Sequence, residues 1–142
     1  ITGVGHSFNV DEHFAKSLIP QIEVIPYIES KDELRKFYQS LAIFVLPSLI
    51  ESFGLVMTEA MACGCALVVT KVGFSHELNH GEEAMVLDKP ESPLLYQNVK
   101  RLILDEKLRM KIAENGYKRV QSLNWKTLVP KLEDTYMEWL SE

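Results

Sequence analysis

The sequence has only two cysteines, Cys63 and Cys65, on either side of Gly64. Two thiols are too few for a disulfide framework, so a reducing, cytoplasmic setting fits best. A metal site would need further ligands at suitable spacing, and His76 and His80 are the only histidines near them. Small buried thiols at a helix end are the better reading. Long hydrophobic runs are also missing: Leu41 to Leu46 is the longest, far too short to span a bilayer. No charged-then-apolar leader opens the sequence. Lys and Arg form no long cluster, and a net charge of −5 offers no footprint for nucleic acid. There is no Gly-x-Ser-x-Gly elbow, which argues against an α/β-hydrolase. Gly3-Val-Gly5-His6 lacks the third glycine of a dinucleotide fingerprint.

What is present suits a globular protein. With 46% hydrophobic and 25% charged residues, a chain of 142 residues buries a proper core as one domain, 1–142, with no repeat, low-complexity segment or linker. It starts at Ile1, without Met, inside an apolar Ile-Thr-Gly-Val-Gly stretch, as expected of a piece cut from something longer. Strands are expected at Ile1–Val4, Ile22–Ile28, Ile43–Leu46, Ala66–Thr70 and Ala84–Leu87. Their cores are continuous apolar runs, which suits a parallel sheet buried on both faces. Helices are expected at Asn9–Leu18, Lys31–Ser40 and Gly54–Cys63, with a short turn at Ser75–Asn79. Such alternation reads as an open α/β sheet. After Leu87 only helices are expected. Ser92 is the N-cap of the first with Pro93 behind it, Asp105 caps the second and Asn124 the third. Trp125, Leu128, Leu132, Tyr136 and Leu140 share one side of that third helix, in which Pro130 predicts a kink or a late start.

The chemistry concentrates in Glu51-Ser-Phe-Gly-Leu-Val-Met-Thr-Glu59. A strand ending at Pro47-Ser48 feeds a Ser-Phe-Gly turn and then a helix, the place where ligands bind in open α/β sheets. The N–H groups of Phe53, Gly54 and Leu55, backed by the helix dipole, suit a phosphate or diphosphate. Gly54 lets the ligand approach because it has no Cβ. Glu59 lies about 8 Å further along the helix axis, where a carboxylate can take two hydrogen bonds from the vicinal hydroxyls of a ribose. Glu51 precedes the helix and can address a sugar on the other side of the diphosphate. On spacing alone, however, two surface acids drawn to a helix start by its dipole is the better reading. Met57 and Met61 read as core packing, and His6, His13 and His80 as surface or structural residues. A receiver-like domain would want clustered acids at its strand ends, and Pro47 and Thr70 supply none.

Phe44-Val-Leu-Pro-Ser48, the Glu51–Glu59 segment, Ala60-Met-Ala-Cys-Gly64, Val68-Val-Thr70 and Gly73-Phe-Ser-His-Glu77 together resemble the C-terminal half of a retaining glycosyltransferase. The family is the glycogen-synthase-like one with two Rossmann-type domains (the GT-B architecture) and an E-x7-E motif. The resemblance covers about Ile22 to Leu140. It implies a Rossmann-like α/β domain, an open parallel sheet flanked by helices with further helices at its C-terminal end, that holds a nucleotide-sugar donor. Glu51 then lies by the transferred sugar as the catalytic residue, and the residues leave open whether it stabilises charge or positions the sugar. Ser52, Phe53, Gly54 and Leu55 face the diphosphate, Glu59 the ribose, and Tyr27 and Ile28 the base. The resemblance implies no cofactor and no metal, with the nucleoside-diphosphate sugar as substrate. It also implies a glycan or lipid acceptor bound by a missing N-terminal domain, and a cytoplasmic protein for which peripheral attachment to the inner membrane face is an option. The family's phosphate-clamping Arg and Lys belong upstream of this segment. Ala42, Ala66, Phe74 and Ala84 depart from the family's usual Asp, Pro, Gly and Gly. Phe74 is expected to reshape the sugar pocket, and with Ala84 it keeps open a binding or regulatory module without transfer.

Overall fold

Strands form where the apolar runs are continuous. The structure, a computed structural model, describes residues 8–141, which fall into two compact units divided between Lys36 and Phe37. In the first unit, α1 (Val10–His13) is capped by the Asn9 side chain, which accepts from the Asp11 N–H at 3.1 Å. The helix expected over Asn9–Leu18 stops after one turn, and Phe14 is already extended. None of its residues is buried, so packing supplies nothing to offset the cost of helix nucleation. A 3-10 turn at Ile19–Gln21 follows. No strand forms across Ile22–Ile28, where only Ile25 is bridge-paired; Pro26 interrupts the run and has no N–H to donate. The strand expected at Ile1–Val4 and the residue His6 lie outside the described residues. α2 (Lys31–Gln39) begins in this unit and ends in the next.

The second unit carries the sheet. β1 (Ile43–Leu46), β2 (Ala66–Thr70) and β3 (Met85–Leu87) run parallel in the order β1-β2-β3, with Val45 opposite Val68 and Val68 opposite Met85. All five residues of β2 are buried, as a central parallel strand requires. β3 is one residue shorter than expected, because Ala84 instead bridges to His80. Ala66 and Val68 pack with Met85, Leu87, Leu102 and Ile112 into the core, sealed by Leu95, Val99 and Leu108. These last residues come from α4 (Ser92–Leu104) and α5 (Glu106–Val120). α3 (Leu55–Ala62) connects β1 to β2 and buries Met57, Ala60 and Met61, so both methionines are core residues.

Helix starts follow the caps with one shift. Asp105 accepts from the Leu108 N–H at 2.9 Å, and Asn124 from the Thr127 N–H at 3.1 Å. At α4 the cap position is Glu91, one residue before the expected Ser92, and Ser92 and Pro93 become the first helical residues. The shift is tolerated because Pro lacks an N–H that would be unused in a first turn anyway. α6 (Trp125–Ser141) starts directly after its cap and runs through Pro130, so the late start does not occur. No residue of α6 is buried among those described, and Trp125, Tyr136, Trp139 and Leu140 are largely exposed.

Candidate functional site

The loops after β1 and β2 are joined before either reaches a ligand. Thr70, buried at the end of β2, donates its hydroxyl to the Ser48 carbonyl in the loop after β1. Ser48 Oγ in turn donates to Glu51 Oε1 at 2.8 Å, drawing that carboxylate back over its own loop. The loop ends at Gly54, buried and left-handed with φ +84°, and Leu55 starts α3. Met57 lies beneath: a Cβ on Gly54 would sit 2.2 Å from its Cε. Of the first-turn amides, that of Met57 donates to the Gly54 carbonyl at 2.9 Å, while those of Leu55 and Val56 stand at the helix start without an i−4 carbonyl.

The second loop closes on the first at Gly73. Its φ is +55°, and a Cβ there would stand 2.6 Å from the Phe53 carbonyl oxygen and 3.1 Å from Glu51 Cβ. The next residue, Phe74, donates its N–H to that same carbonyl at 2.8 Å. Ser75 Oγ, fully buried, takes the Val72 N–H at 2.7 Å and lies 2.6 Å from the Thr70 carbonyl, which fixes the 3-10 turn Gly73–Glu77. Phe74 is only 2% exposed. Its ring lies 5.3 Å from that of Phe53, with the Arg119 guanidinium over it and paired to Glu77 at 2.9 Å. Phe74 is therefore a packed residue, held against Phe53 and Arg119, rather than one whose ring lines an open pocket. Ala84 is fully buried and bridges to His80.

Glu59 is held from further away. The Tyr38 hydroxyl, near the end of α2, donates to Glu59 Oε2 at 3.3 Å. Tyr38 is itself buried, with its ring edge-on to Phe44 of β1 at 5.6 Å, and its carbonyl accepts the Cys65 thiol at 3.1 Å. Burial first, and then the Glu59 carboxylate, push the Tyr38 phenol well above its ordinary range. The phenol therefore stays a donor at any working pH. Burial, followed by the neighbouring Cys63, pushes the Cys65 thiol up to about 11. Cys65 is buried at the helix end, as expected of a small thiol there, whereas Cys63 is only half-buried.

Glu51, Ser52, Phe53, Gly54, Leu55 and Glu59 thus lie on one strand–loop–helix unit, with Ser52 and Leu55 exposed and Phe53 partly so. Tyr27 and Ile28 belong to the first unit, in chain without regular structure, and Tyr27 is 85% exposed. The cleft of about 820 Å³ between Gly64 and α5 shares no residue with the Glu51–Glu59 segment. His80 Nδ1 lies 2.8 Å from the Val86 carbonyl, a structural role. Among the described residues, no group of three or more His, Cys, Asp or Glu is arranged to hold a metal. Tyr38 is the site residue that the sequence does not single out. The available signal is chemical: a tyrosine on the apolar stripe of a helix needs a partner for its hydroxyl once buried.

A parallel sheet whose first crossover carries the Glu51–Glu59 segment over a joined pair of loops defines a Rossmann-like domain. Residues 2–119 match the family model for glycosyl transferases group 1, and the chain belongs to that family. It is 29% identical over 140 residues to an uncharacterized glycosyltransferase of Methanocaldococcus jannaschii, covering 97% of this chain and 40% of that protein. The solved C-terminal domain of a glycosyl transferase group 1 family protein from Francisella tularensis is 36% identical, with a TM-score of 0.69 over 75% of this chain and 55% of that one. Anabaena HepE in complex with UDP-glucose shares the fold, with a TM-score of 0.71 and 23% identity over 88% of this chain and 33% of that one. The fold is that of a GT-B C-terminal domain, and the chain spans less than half the length of the curated relatives it matches. Among the described residues, no helix is long and apolar enough to cross a membrane.

Proposed function

We propose that this chain supplies the donor site of a glycosyltransferase that moves a sugar from a nucleoside diphosphate to a glycan or lipid acceptor, with retention at the anomeric carbon. What carries the reading is the position of both glutamates, each already hydrogen-bonded, on either side of a helix N-terminus that opens at Gly54. The diphosphate meets the amides that begin α3, where partial positive charge is fixed in place before the ligand arrives. The same amides stabilise the diphosphate as it departs, an electrostatic role that requires no protein nucleophile. Basic groups from outside this segment complete the phosphate site, with no metal or cofactor. Glu51, with one oxygen on Ser48, presents the other towards the transferred sugar, and Glu59 takes the ribose hydroxyls. Tyr27 and Ile28 serve the base. The UDP-glucose held by the Anabaena protein of the same fold supports a nucleotide sugar as the ligand class. The setting is cytoplasmic, where a chain with so few cysteines needs no disulfide framework, and attachment to the inner membrane face would come from the acceptor side.

The test is calorimetry on the intact protein with UDP, GDP and dTDP, comparing wild type with Glu59→Ala. Losing charge-assisted hydrogen bonds to the ribose should weaken the preferred ribonucleotide by about 10- to 100-fold. Unchanged affinity in the variant removes the ribose assignment. A transfer or sugar-nucleotide hydrolysis assay on the same protein distinguishes an enzyme from a binding module.

A further inference from the structure

Glu59 sits on the exposed face of α3 and carries three rotatable bonds, so a carboxylate at this position has no fixed direction of its own. Its partner is the opposite case. Tyr38 is 5% exposed, and it is gripped at the ring by Phe44 and at the carbonyl by Cys65. The phenol is thus part of the core, and its hydroxyl emerges at Glu59 Oε2. We propose that Tyr38 is a positioning residue for the donor: its hydroxyl holds the Glu59 carboxylate in the orientation that receives the two ribose hydroxyls. The proposal rests on the assignment of Glu59 to the ribose.

The lone-pair count permits it. A carboxylate offers about four acceptor sites, so one given to Tyr38 leaves room for both hydroxyls. The distance favours positioning over stabilisation. At 3.3 Å the contact is longer than the roughly 2.5–2.7 Å of a strong hydroxyl–carboxylate bond, so it adds little to folding while still selecting one rotamer. An aligned carboxylate loses less freedom when the nucleotide arrives, which raises affinity without any new contact to the ligand. Tyr38 touches the ribose only through Glu59.

The experiment uses the intact protein and whichever of UDP, GDP and ADP binds best, together with its 2′-deoxy form. The readout is the ratio of the two affinities, which reports the ribose hydroxyl and not overall folding. Inorganic pyrophosphate binding, which involves no ribose, serves as the internal control. Wild type should prefer the ribonucleotide by about 10-fold or more, and Glu59→Ala should bring the ratio close to one. Tyr38→Phe should lower the ratio by about 3- to 10-fold with pyrophosphate affinity unchanged, consistent with loss of one modest hydrogen bond. The double variant should match Glu59→Ala alone. If Glu59→Ala keeps the preference, the ribose reading falls and the proposal falls with it. If Glu59→Ala abolishes the preference and Tyr38→Phe retains it, the ribose reading stands and Tyr38 is only a structural residue. Should Tyr38→Phe not fold, 4-fluorophenylalanine at position 38 replaces it, keeping the ring and filling the place of the hydroxyl with no proton to donate. The ratio must then fall as for Tyr38→Phe, and an unchanged ratio overturns the proposal.

Discussion

In the loop after β1, Glu51 is fixed by its own surroundings: Ser48 three residues back, and Gly73, beside whose backbone Glu51 leaves too little room for a side chain. On α3, Glu59 is fixed by a single hydroxyl from 21 residues upstream, carried on a different helix. The loop therefore depends on backbone atoms that have no room to move, whereas the helix depends on one side chain that can be trimmed. Damage on the Glu51 side should spread to the fold, and damage on the Glu59 side should remain local to the ligand.

The most severe way to break this contrast is Gly73→Ala. A Cβ at φ +55° and 2.6 Å from a backbone oxygen meets both conformational strain and overpacking, together about 2–4 kcal/mol. The denaturation midpoint should fall and donor affinity with it. A midpoint equal to wild type would show that the two loops can separate freely. Ser48→Ala is milder. It leaves Glu51 present but unanchored, and the loss of about 1 kcal/mol should cut turnover roughly five-fold with the midpoint nearly unchanged. Turnover at the wild-type level would mean that Glu51 acts from more than one orientation. The smallest effect concerns the far end of the Tyr38 anchor. With its pKa raised from 9.0 to about 11, the Cys65 thiol contributes stability that is complete below pH 9 and declines as pH rises towards 11. Melting curves of wild type and Cys65→Ala should therefore converge over that interval, and parallel curves would show that burial does not hold the proton on Cys65.

Much of this architecture was legible in the sequence, for reasons that differ by element. β1 and β2 match their apolar runs residue for residue, although only β2 is buried throughout: β1 lies at the sheet edge, with Val45 exposed, and its bounds are set by Pro47 and the polar turn that follow. Asp105 and Asn124 cap where expected, because a cap is a local hydrogen bond. Ile22–Ile28 and Asn9–Leu18 have suitable composition but do not form the expected elements: one is interrupted at Pro26, and the other has nothing buried to pack against. At the site, the E-x7-E segment and Gly73 were visible as motifs. The hold of Tyr38 on Glu59 was not, since a contact between two helices has no signature in spacing. Phe74 looked like a pocket residue and is a buried one, because its neighbours Phe53 and Arg119 enclose the ring.

The last helix has an unrelated practical consequence. The chain's two tryptophans, Trp125 and Trp139, both lie on α6, at 78% and 64% exposure. Intrinsic tryptophan fluorescence from this domain will therefore be red-shifted and open to quenching by iodide even when the sheet is fully formed. It will report whether the surface of α6 is covered, and it will be nearly blind to melting around β2. Unfolding of the core is better followed by circular dichroism or amide exchange, with fluorescence reserved for whatever comes to rest against the last helix.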